Sequence, residues 1–418
     1  MASVSTLPKD TTATTTTTVD DSSNPTPTLS DANATTILSL STETKAAETE
    51  TETTSTAVII VSPARRAAAT PTCIGRSNAG VSWGYSLEKG RRSTMEDAVA
   101  VHSGFIRVCC KDAGGCTAPE CKYSLEMSPV HFFGLFDGHG GDQYGGTELS
   151  AKPNDREAPC STRVPGKPDE IRSKKENCTD EVSNYCANEL CKIVAEEWEK
   201  GSSLDGWSKR WEIALCKAYE RADNAFKDEV LAPKSVGTTA LVLIVSPCQI
   251  IAANCGDSRA VLCRGTQTIP LTVDHKPDRE DELERITSSG GRILNWGCLR
   301  VEGILSMSRA IGDHDLKPWV ISVPEVTFMT RTDEDECLIL ASDGLWDVLS
   351  NEEVVRLARK ELRQQRRLVG VNDDGQYPPA CYVSQHLLKQ ALAAYSDDNI
   401  SIIVVDLKLP RTRRPRQL

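Results

Sequence analysis

GTTALVLIVSPCQIIAANCGDSRAVLC, residues 237–263, contains three apolar runs separated by turn residues. Ala240–Val245, Gln249–Asn254 and Ala260–Cys263 have the length and β-branched content of strands, and the gaps between them are too short for a crossover helix. That spacing predicts hairpins, and hence antiparallel sheet. Val130–Phe136 reads as another strand. Helical patterns accompany these runs. One covers Asp278–Ser288, and one opens at Ser350 with Glu353 three places on, where side chain and backbone can cap each other. A last helix, about Ala380–Ala394, precedes a strand at Ile400–Leu407. Antiparallel strands mixed with helices predict an α+β fold with helices covering sheet faces.

Composition bounds the function. The chain has 418 residues and a formal charge of −11, so a nonspecific electrostatic grip on nucleic acid is not expected of its body. No run approaches the roughly 20 apolar residues that span a bilayer. No apolar leader opens the sequence, so the 16 cysteines read as thiols in a reducing compartment. Cys109, Cys110, Cys116 and Cys121 are close in sequence, but none of their spacings is the C-x₂-C of a zinc knuckle.

The chain has three attachments. Met1 to about Gly75 lacks aromatic residues and is rich in Thr and Ser, a composition of disorder; Asp10, Asp20, Asp21 and Asp31 make it too acidic for a chloroplast transit peptide. Tyr144–Glu181, rich in Gly, Pro and mixed charge, reads as a long insertion loop. After the globular region, 81–407, residues 408–418 carry Arg411, Arg413, Arg414 and Arg416, a nuclear-import patch or a solvated end.

Acidic residues recur where apolar strands meet glycine or polar turns: MEDA (Glu96, Asp97), FDGHGG (Asp137), NCGDSRA (Asp257), ASDGLWD (Asp343, Asp347) and SDDNIS (Asp397, Asp398). One Asp–Gly is an ordinary turn. If the sheets gather several, two carboxylates about 4 Å apart repel by about 4 kcal/mol at an effective dielectric of 20, so a positive charge must compensate. Hard oxygen donors suit Mg²⁺ or Mn²⁺, which can acidify water and clamp a phosphoryl group. His139 could then protonate a leaving oxygen, and Arg92 could hold phosphate oxygens. Taken singly, each keeps its bland reading as turn aspartate, core histidine or surface arginine.

The ordered series GRRSTMEDA, FGLFDGHGG, GTTAL, ANCGDSRAVL, DHKPDREDELERI, SRAIGD, LASDGLWDVLS and SDDNIS resembles the type 2C (PPM) protein phosphatases over about Val81–Leu407. The resemblance implies an αββα sandwich and hydrolysis of phosphoserine and phosphothreonine on proteins. It implies two Mg²⁺ or Mn²⁺ ions, one held by Glu96, Asp137 and the Gly138 carbonyl, the other by Asp137, Asp343 and Asp398. A third, weaker site would use Asp257 and Asp347 beside Asp343. Arg92 would contact phosphate and His139 would be the general acid.

GGRILNWGCLRVEGILSMSRAIGDHDLKP, residues 290–318, is similar to the recognition lobe of the plant clade A phosphatases, which restrain stress-activated, Snf1-related kinases and are inhibited by hormone-bound abscisic acid receptors. Trp296 stands at the receptor-locking position. Glu302 and Asp315 depart from the apolar and aromatic residues common there, and their desolvation is expected to weaken receptor binding. The insertion 144–181 is a second departure: without it DGHGGDQ runs directly into VSNYCANELCKIVAEEW, as in the family. Two functions follow as expectations: an active monomeric phosphatase of nucleus and cytoplasm acting in abscisic acid signalling, or an impaired isoform that binds kinases or receptors. A metal-dependent nuclease fits less well, because no basic track is present.

Overall fold

A computed structural model describes residues 59–61, 73–76, 80–118, 121, 125–140, 180–201, 206–228, 230–368 and 377–408, all within one compact unit, Ser55–Leu418. Its architecture follows from how the apolar runs divide their side chains. In Met127–Phe136, Phe132 and Phe136 enter one apolar cluster while Phe133 and Leu135 enter another. Ala240–Val245 does the same, with Val242 and Ile244 on one side and Leu241, Leu243 and Val245 on the other. Side chains alternate with a period of two. A strand apolar at every position is therefore buried on both faces and must lie between two layers.

Two sheets result. The first runs, in spatial order, Ile59–Val61, Glu325–Thr330, Gln249–Cys255, Ala240–Val245, Met127–Phe136 and Ala98–Cys109. The second runs Gln267–Pro270, Arg259–Arg264, Asp335–Ala341, Ile400–Asp406 and Ser82–Glu88. Pairing is antiparallel throughout except at Ile59–Val61, which joins Glu325–Thr330 in parallel. Phe133, Leu135, Leu241 and Leu243 of the first sheet meet Leu262, Leu338, Leu340 and Ile403 of the second in one inter-sheet core.

Helices close the outer faces. Glu181–Lys200 and Trp207–Asn224 bury Leu190, Val194, Trp211 and Leu215 against the first sheet. Asn351–Leu368 and Pro379–Ala393 bury Val354, Leu362, Val383 and Leu387 against the second. The layers are thus helix, sheet, sheet, helix. A smaller apolar cluster, built from Ile286, Val301, Leu305, Met307 and Val320, underlies a lobe at 280–320. Among the described residues, no helix is long and apolar enough to cross a membrane.

The expected elements hold within a residue or two, except that the strand expected at Val130–Phe136 begins three residues earlier, at Met127. The helix from Asp278 begins at Glu280, the helix after Ser350 spans Asn351–Leu368, and the last strand ends at Asp406. Ser350 Oγ accepts from the Glu353 N–H at 3.2 Å, one half of the anticipated capping box, while the Glu353 carboxylate turns to Arg356. The amino-terminal boundary differs. Residues 59–61 and 73–76, assigned by composition to a disordered tail, pair with the first sheet or form a short turn beside it; an apolar triplet such as Ile-Ile-Val can join an edge strand whatever surrounds it. The rest of 1–75, nearly all of the insertion 144–181 and the tail 409–418 lie outside the described residues.

Leu340 is fully buried between the sheets. Leu340→Ala is expected to lower the unfolding free energy by about 2–5 kcal/mol in urea titration, whereas a change at the exposed Val230 should stay within about 0.5 kcal/mol.

Candidate active site

Strand register decides which residues meet. In the first sheet Ala98 pairs with Phe136, Leu135 with Leu241, and Ala240 with Cys255. The residues just beyond those pairs, Glu96 and Asp97, Asp137, and Asp257, therefore leave the sheet at one end of its strands. In the second sheet Ala341 pairs with both Arg259 and Ile402, which brings Asp343 and Asp398 to the corresponding end. The charges of Asp97, Asp257, Asp343 and Asp398 all bear on Asp137. The structure thus collects the carboxylates expected to act together.

Asp137 and Glu96 are held by their backbone. The Asp137 N–H donates to Thr239 Oγ1 at 3.0 Å, and the Thr239 N–H returns a bond to the Asp137 carbonyl at 2.8 Å. The Glu96 N–H donates to Asn399 Oδ1 at 2.7 Å, while the Asn399 amide donates to the carbonyls of Lys89 and Thr94 at 2.9 and 3.0 Å. Ser183 Oγ, at the start of Glu181–Lys200, donates to the Glu96 carbonyl at 2.6 Å. Gly138 fits beneath that carbonyl because it has no side chain: a Cβ would lie 2.5 Å from Glu96 O.

Burial, then the charges of Asp97, Asp343, Asp257 and Asp398, hold the Asp137 carboxyl well above the ordinary carboxylate range. Burial followed by Asp257, Asp398 and Asp347 does the same to Asp343. Burial also pushes Asp97 up to about 6, although Ser342 Oγ donates to its Oδ2 at 2.9 Å. Asp347, at the end of its short helix, is also raised, by burial and then by Asp257, Asp274 and Asp398, against the opposing charge of Lys276. Asp257 Oδ1 and Asp343 Oδ1 are buried without a hydrogen-bond partner. Buried acceptors of concentrated negative charge, left unmatched by the protein, fit a divalent cation bound through oxygen.

Two cationic side chains stand at the cluster. Arg92 Nη2 donates to Asp398 Oδ2 at 2.6 Å from a half-exposed position at the rim. Lys276 Nζ pairs with Asp257 Oδ2 from the DHKP segment. Sequence reading gives Lys276 no role, though the quoted motif contains it.

His139 belongs to a separate local construction. Gly138–His139 pairs with Gly237–Thr238, which in turn pairs with Ile311–Gly312. Asp313, following Gly312, is thereby brought beside the imidazole, and its Oδ2 lies 2.7 Å from His139 Nε2. Burial alone would push His139 down, but the Asp313 charge and hydrogen bond outweigh it and raise it above its ordinary value. Gly237 is required at the crossing, since a Cβ there would lie 2.0 Å from Asp313 Oδ2 and 2.8 Å from His139 Nε2. Asp313 and Gly237 sit in the SRAIGD and GTTAL motifs, whose spacing does not show that they meet His139. Asn399 and Thr239 escape sequence reading for the same reason.

Trp296 lies apart, 74% exposed, at the tip of the hairpin Ile293–Asn295 and Leu299–Val301. Of the two charges expected to cost desolvation in that patch, Glu302 is not left unmatched. Its carboxylate takes bonds from Arg292 Nη2 at 2.6 Å, Nε at 3.0 Å and the Arg292 N–H at 2.7 Å, so its charge is already matched within the lobe. Asp315 is exposed.

The sequence profile of the family described as Protein phosphatase 2C matches residues 170–400. Among curated proteins, the chain is 41% identical over 350 residues to probable protein phosphatase 2C 6 of Oryza sativa subsp. japonica, covering 79% of this chain and 67% of that one. It is 39% identical over 353 residues to protein phosphatase 2C 77 of Arabidopsis thaliana, covering 80% and 73% respectively. Among solved structures, serine-threonine phosphatase 2C from Toxoplasma gondii superposes with a TM-score of 0.51 at 23% identity, covering 81% of this chain and 96% of that one; the fold is shared.

Two outcomes are expected from these electrostatics. If His139 donates a proton, Asp313→Asn should move the alkaline limb of the kcat–pH profile to lower pH by about one unit or more, measured at saturating metal; an unmoved limb would remove His139 from that role. The raised aspartates set the second. They contribute stability below the ordinary aspartate value of about 3.9, which is lost as pH rises through their folded values, about 6 for Asp97 and well above the ordinary carboxylate range for Asp137 and Asp343. The melting-temperature gap between Mn²⁺-loaded and chelated protein should therefore widen from about pH 5 to about pH 7.5.

Proposed function

Because the chain belongs to the protein phosphatase 2C family of metal-dependent enzymes and is a protein serine/threonine phosphatase, we propose that it uses two Mg²⁺ or Mn²⁺ ions and acts in abscisic acid signalling. The observation that carries the metal reading is the convergence of strand-end carboxylates with buried, unmatched oxygens on Asp257 and Asp343. Glu96, Asp137 and the Gly138 carbonyl would hold one cation, and Asp137, Asp343 and Asp398 the other. Asp257 and Asp347, beside Asp343, offer a weaker third position. When bound, the cations supply an acidified water and positive charge for phosphoryl oxygens.

The chain's own groups complete the reaction. Arg92, at the rim, can turn its guanidinium from Asp398 to the incoming phosphate oxygens. His139, whose protonated form Asp313 favours, would give its proton to the departing seryl or threonyl oxygen. Thr239, Asn399 and Ser183 fix the backbone from which the carboxylates project. Hydrolysis of a phosphothreonine peptide should require Mn²⁺ or Mg²⁺, stop with EDTA, and fall by at least about 100-fold in Asp137→Ala; activity retained by that variant would dismiss the assigned centre.

The signalling reading rests on the similarity of residues 290–318 to the clade A recognition lobe and on the exposure of Trp296 at a hairpin tip. Such an aromatic anchor fits a pocket in a partner. Hormone-bound abscisic acid receptors would take it, and Snf1-related kinases would be substrates. The Arg292–Glu302 pair presents a matched charge there, which lessens the expected desolvation penalty. The chain would act as a monomer, in nucleus and cytoplasm, with the arginines of 408–418 favouring nuclear entry. Trp296→Ala should leave peptide hydrolysis within about twofold while weakening receptor inhibition at least tenfold, as expected for a hot-spot residue; equal inhibition of both forms would refute the docking role.

A further inference from the structure

Four thiols from three separate segments meet in the fold although their sequence positions give little sign of it. Cys73 precedes the turn Ile74–Arg76, Cys110 and Cys116 flank a loop, and Cys248 lies between Ala240–Val245 and Gln249–Cys255. Their sulfurs all lie within 4.8 Å of one another. Cys73 to Cys248 is 3.7 Å, Cys110 to Cys248 is 3.5 Å, and Cys116 to Cys73 is 3.7 Å. A zinc ion with Zn–S bonds of about 2.3 Å places the four sulfurs of its tetrahedron about 3.8 Å apart. A disulfide needs about 2.05 Å.

We propose that Cys73, Cys110, Cys116 and Cys248 bind a structural zinc ion that ties the segment around residue 73 to the first sheet. The site lies at the end of the sheet away from the carboxylates. Asp97 precedes the strand Ala98–Cys109 and Cys110 follows it; Cys248 precedes Gln249–Cys255 and Asp257 follows it. A strand of seven residues separates the two ends by about 20 Å.

The surroundings fit a built site. Gly114 and Gly115, with φ of 80° and 67°, turn the chain between Cys110 and Cys116. The Ile74 N–H donates to Thr117 Oγ1 at 3.1 Å, linking two of the segments. Gly75 packs so closely that a Cβ would lie 2.7 Å from Pro247 Cβ and 3.1 Å from Cys248 Sγ. Ordering of the ligands by backbone contacts of this kind is typical of metal sites.

Charge also fits. Zn²⁺ would replace four thiol protons, releasing them to solvent and forming four Zn–S bonds, which leaves a net charge of −2 on the group. Arg331, 1% exposed, donates from its guanidinium Nη1 to the Ser246 carbonyl at 3.0 Å, and its backbone N–H donates to the Cys248 carbonyl at 2.9 Å. Its buried positive charge would interact favourably with a Cys248 thiolate, and Asp335 balances part of it. All four ligands come from protein, so no position is left open for catalysis.

The test is metal analysis of the full chain purified with reduced thiols and dialysed against Mg²⁺. About one zinc per chain is expected, retained in Asp137→Ala and reduced at least about tenfold in Cys110→Ser/Cys116→Ser. Should the double variant fail to fold, Co²⁺ added to the metal-stripped unmutated chain should give thiolate charge-transfer and tetrahedral d–d absorption. Zinc lost in Asp137→Ala would place the metal at the carboxylates and overturn the proposal. It would equally be overturned by iron in place of zinc, by a disulfide among the four cysteines, or by substoichiometric zinc with Co²⁺ giving no thiolate bands.

Discussion

Mutual repulsion of carboxylates, held together at one end of two sheets, is the constraint around which this molecule is organised. Two such charges about 4 Å apart repel by about 4 kcal/mol even at an effective dielectric of 20. The protein answers with Lys276 on Asp257 and Arg92 on Asp398, and leaves buried oxygens of Asp257 and Asp343 unmatched. What resists the repulsion is the inter-sheet core. Phe133, Leu241, Leu338 and Ile403 fix the two sheets face to face, so the strand ends cannot separate without opening apolar surface to water.

The same logic explains why the carboxylates are anchored through backbone. Thr239, Asn399 and Ser183 bind main-chain N–H or carbonyl groups beside Asp137 and Glu96 and leave the carboxylate heads to other partners. Asp97 differs in part: Ser342 donates to its Oδ2 and ties it to the second sheet, while its Oδ1, like those of Asp257 and Asp343, is buried with no hydrogen-bond partner. His139 is held by another device, a three-stranded sheet whose glycines allow Asp313 to reach the ring. The groups proposed for catalysis are thus carried by strand ends and short strands of the two-sheet framework.

Strand positions were legible because each is a short apolar run between turn residues, and Ala240–Val245 was read to the residue. Which way their side chains face was not, since a run apolar at every position has no polar face to betray its orientation. The carboxylate set was legible as a pattern: each acid follows or precedes such a run. Lys276, Asp313 and Gly237 were hidden because their importance arises from pairings 19, 174 and roughly 100 residues distant along the chain, as in Lys276–Asp257, His139–Asp313 and the Gly237 crossing. The cysteines show the same limit. Local spacing pointed away from zinc, whereas Cys73 and Cys248, remote in sequence, complete the tetrad.

By itself, the sequence determined that apolar strands would pair in antiparallel sheets, that acids would stand at their ends, and that such acids suit hard divalent cations. Those properties are local: side-chain period, turn chemistry and donor type are set within a few residues. Tertiary structure alone decided that Asp313 meets His139, that Lys276 meets Asp257, that Glu302 is matched by Arg292, and that thiols from three distant segments converge. These depend on sheet register and on the packing of one sheet against another, where a shift of a single residue turns every side chain to the opposite face.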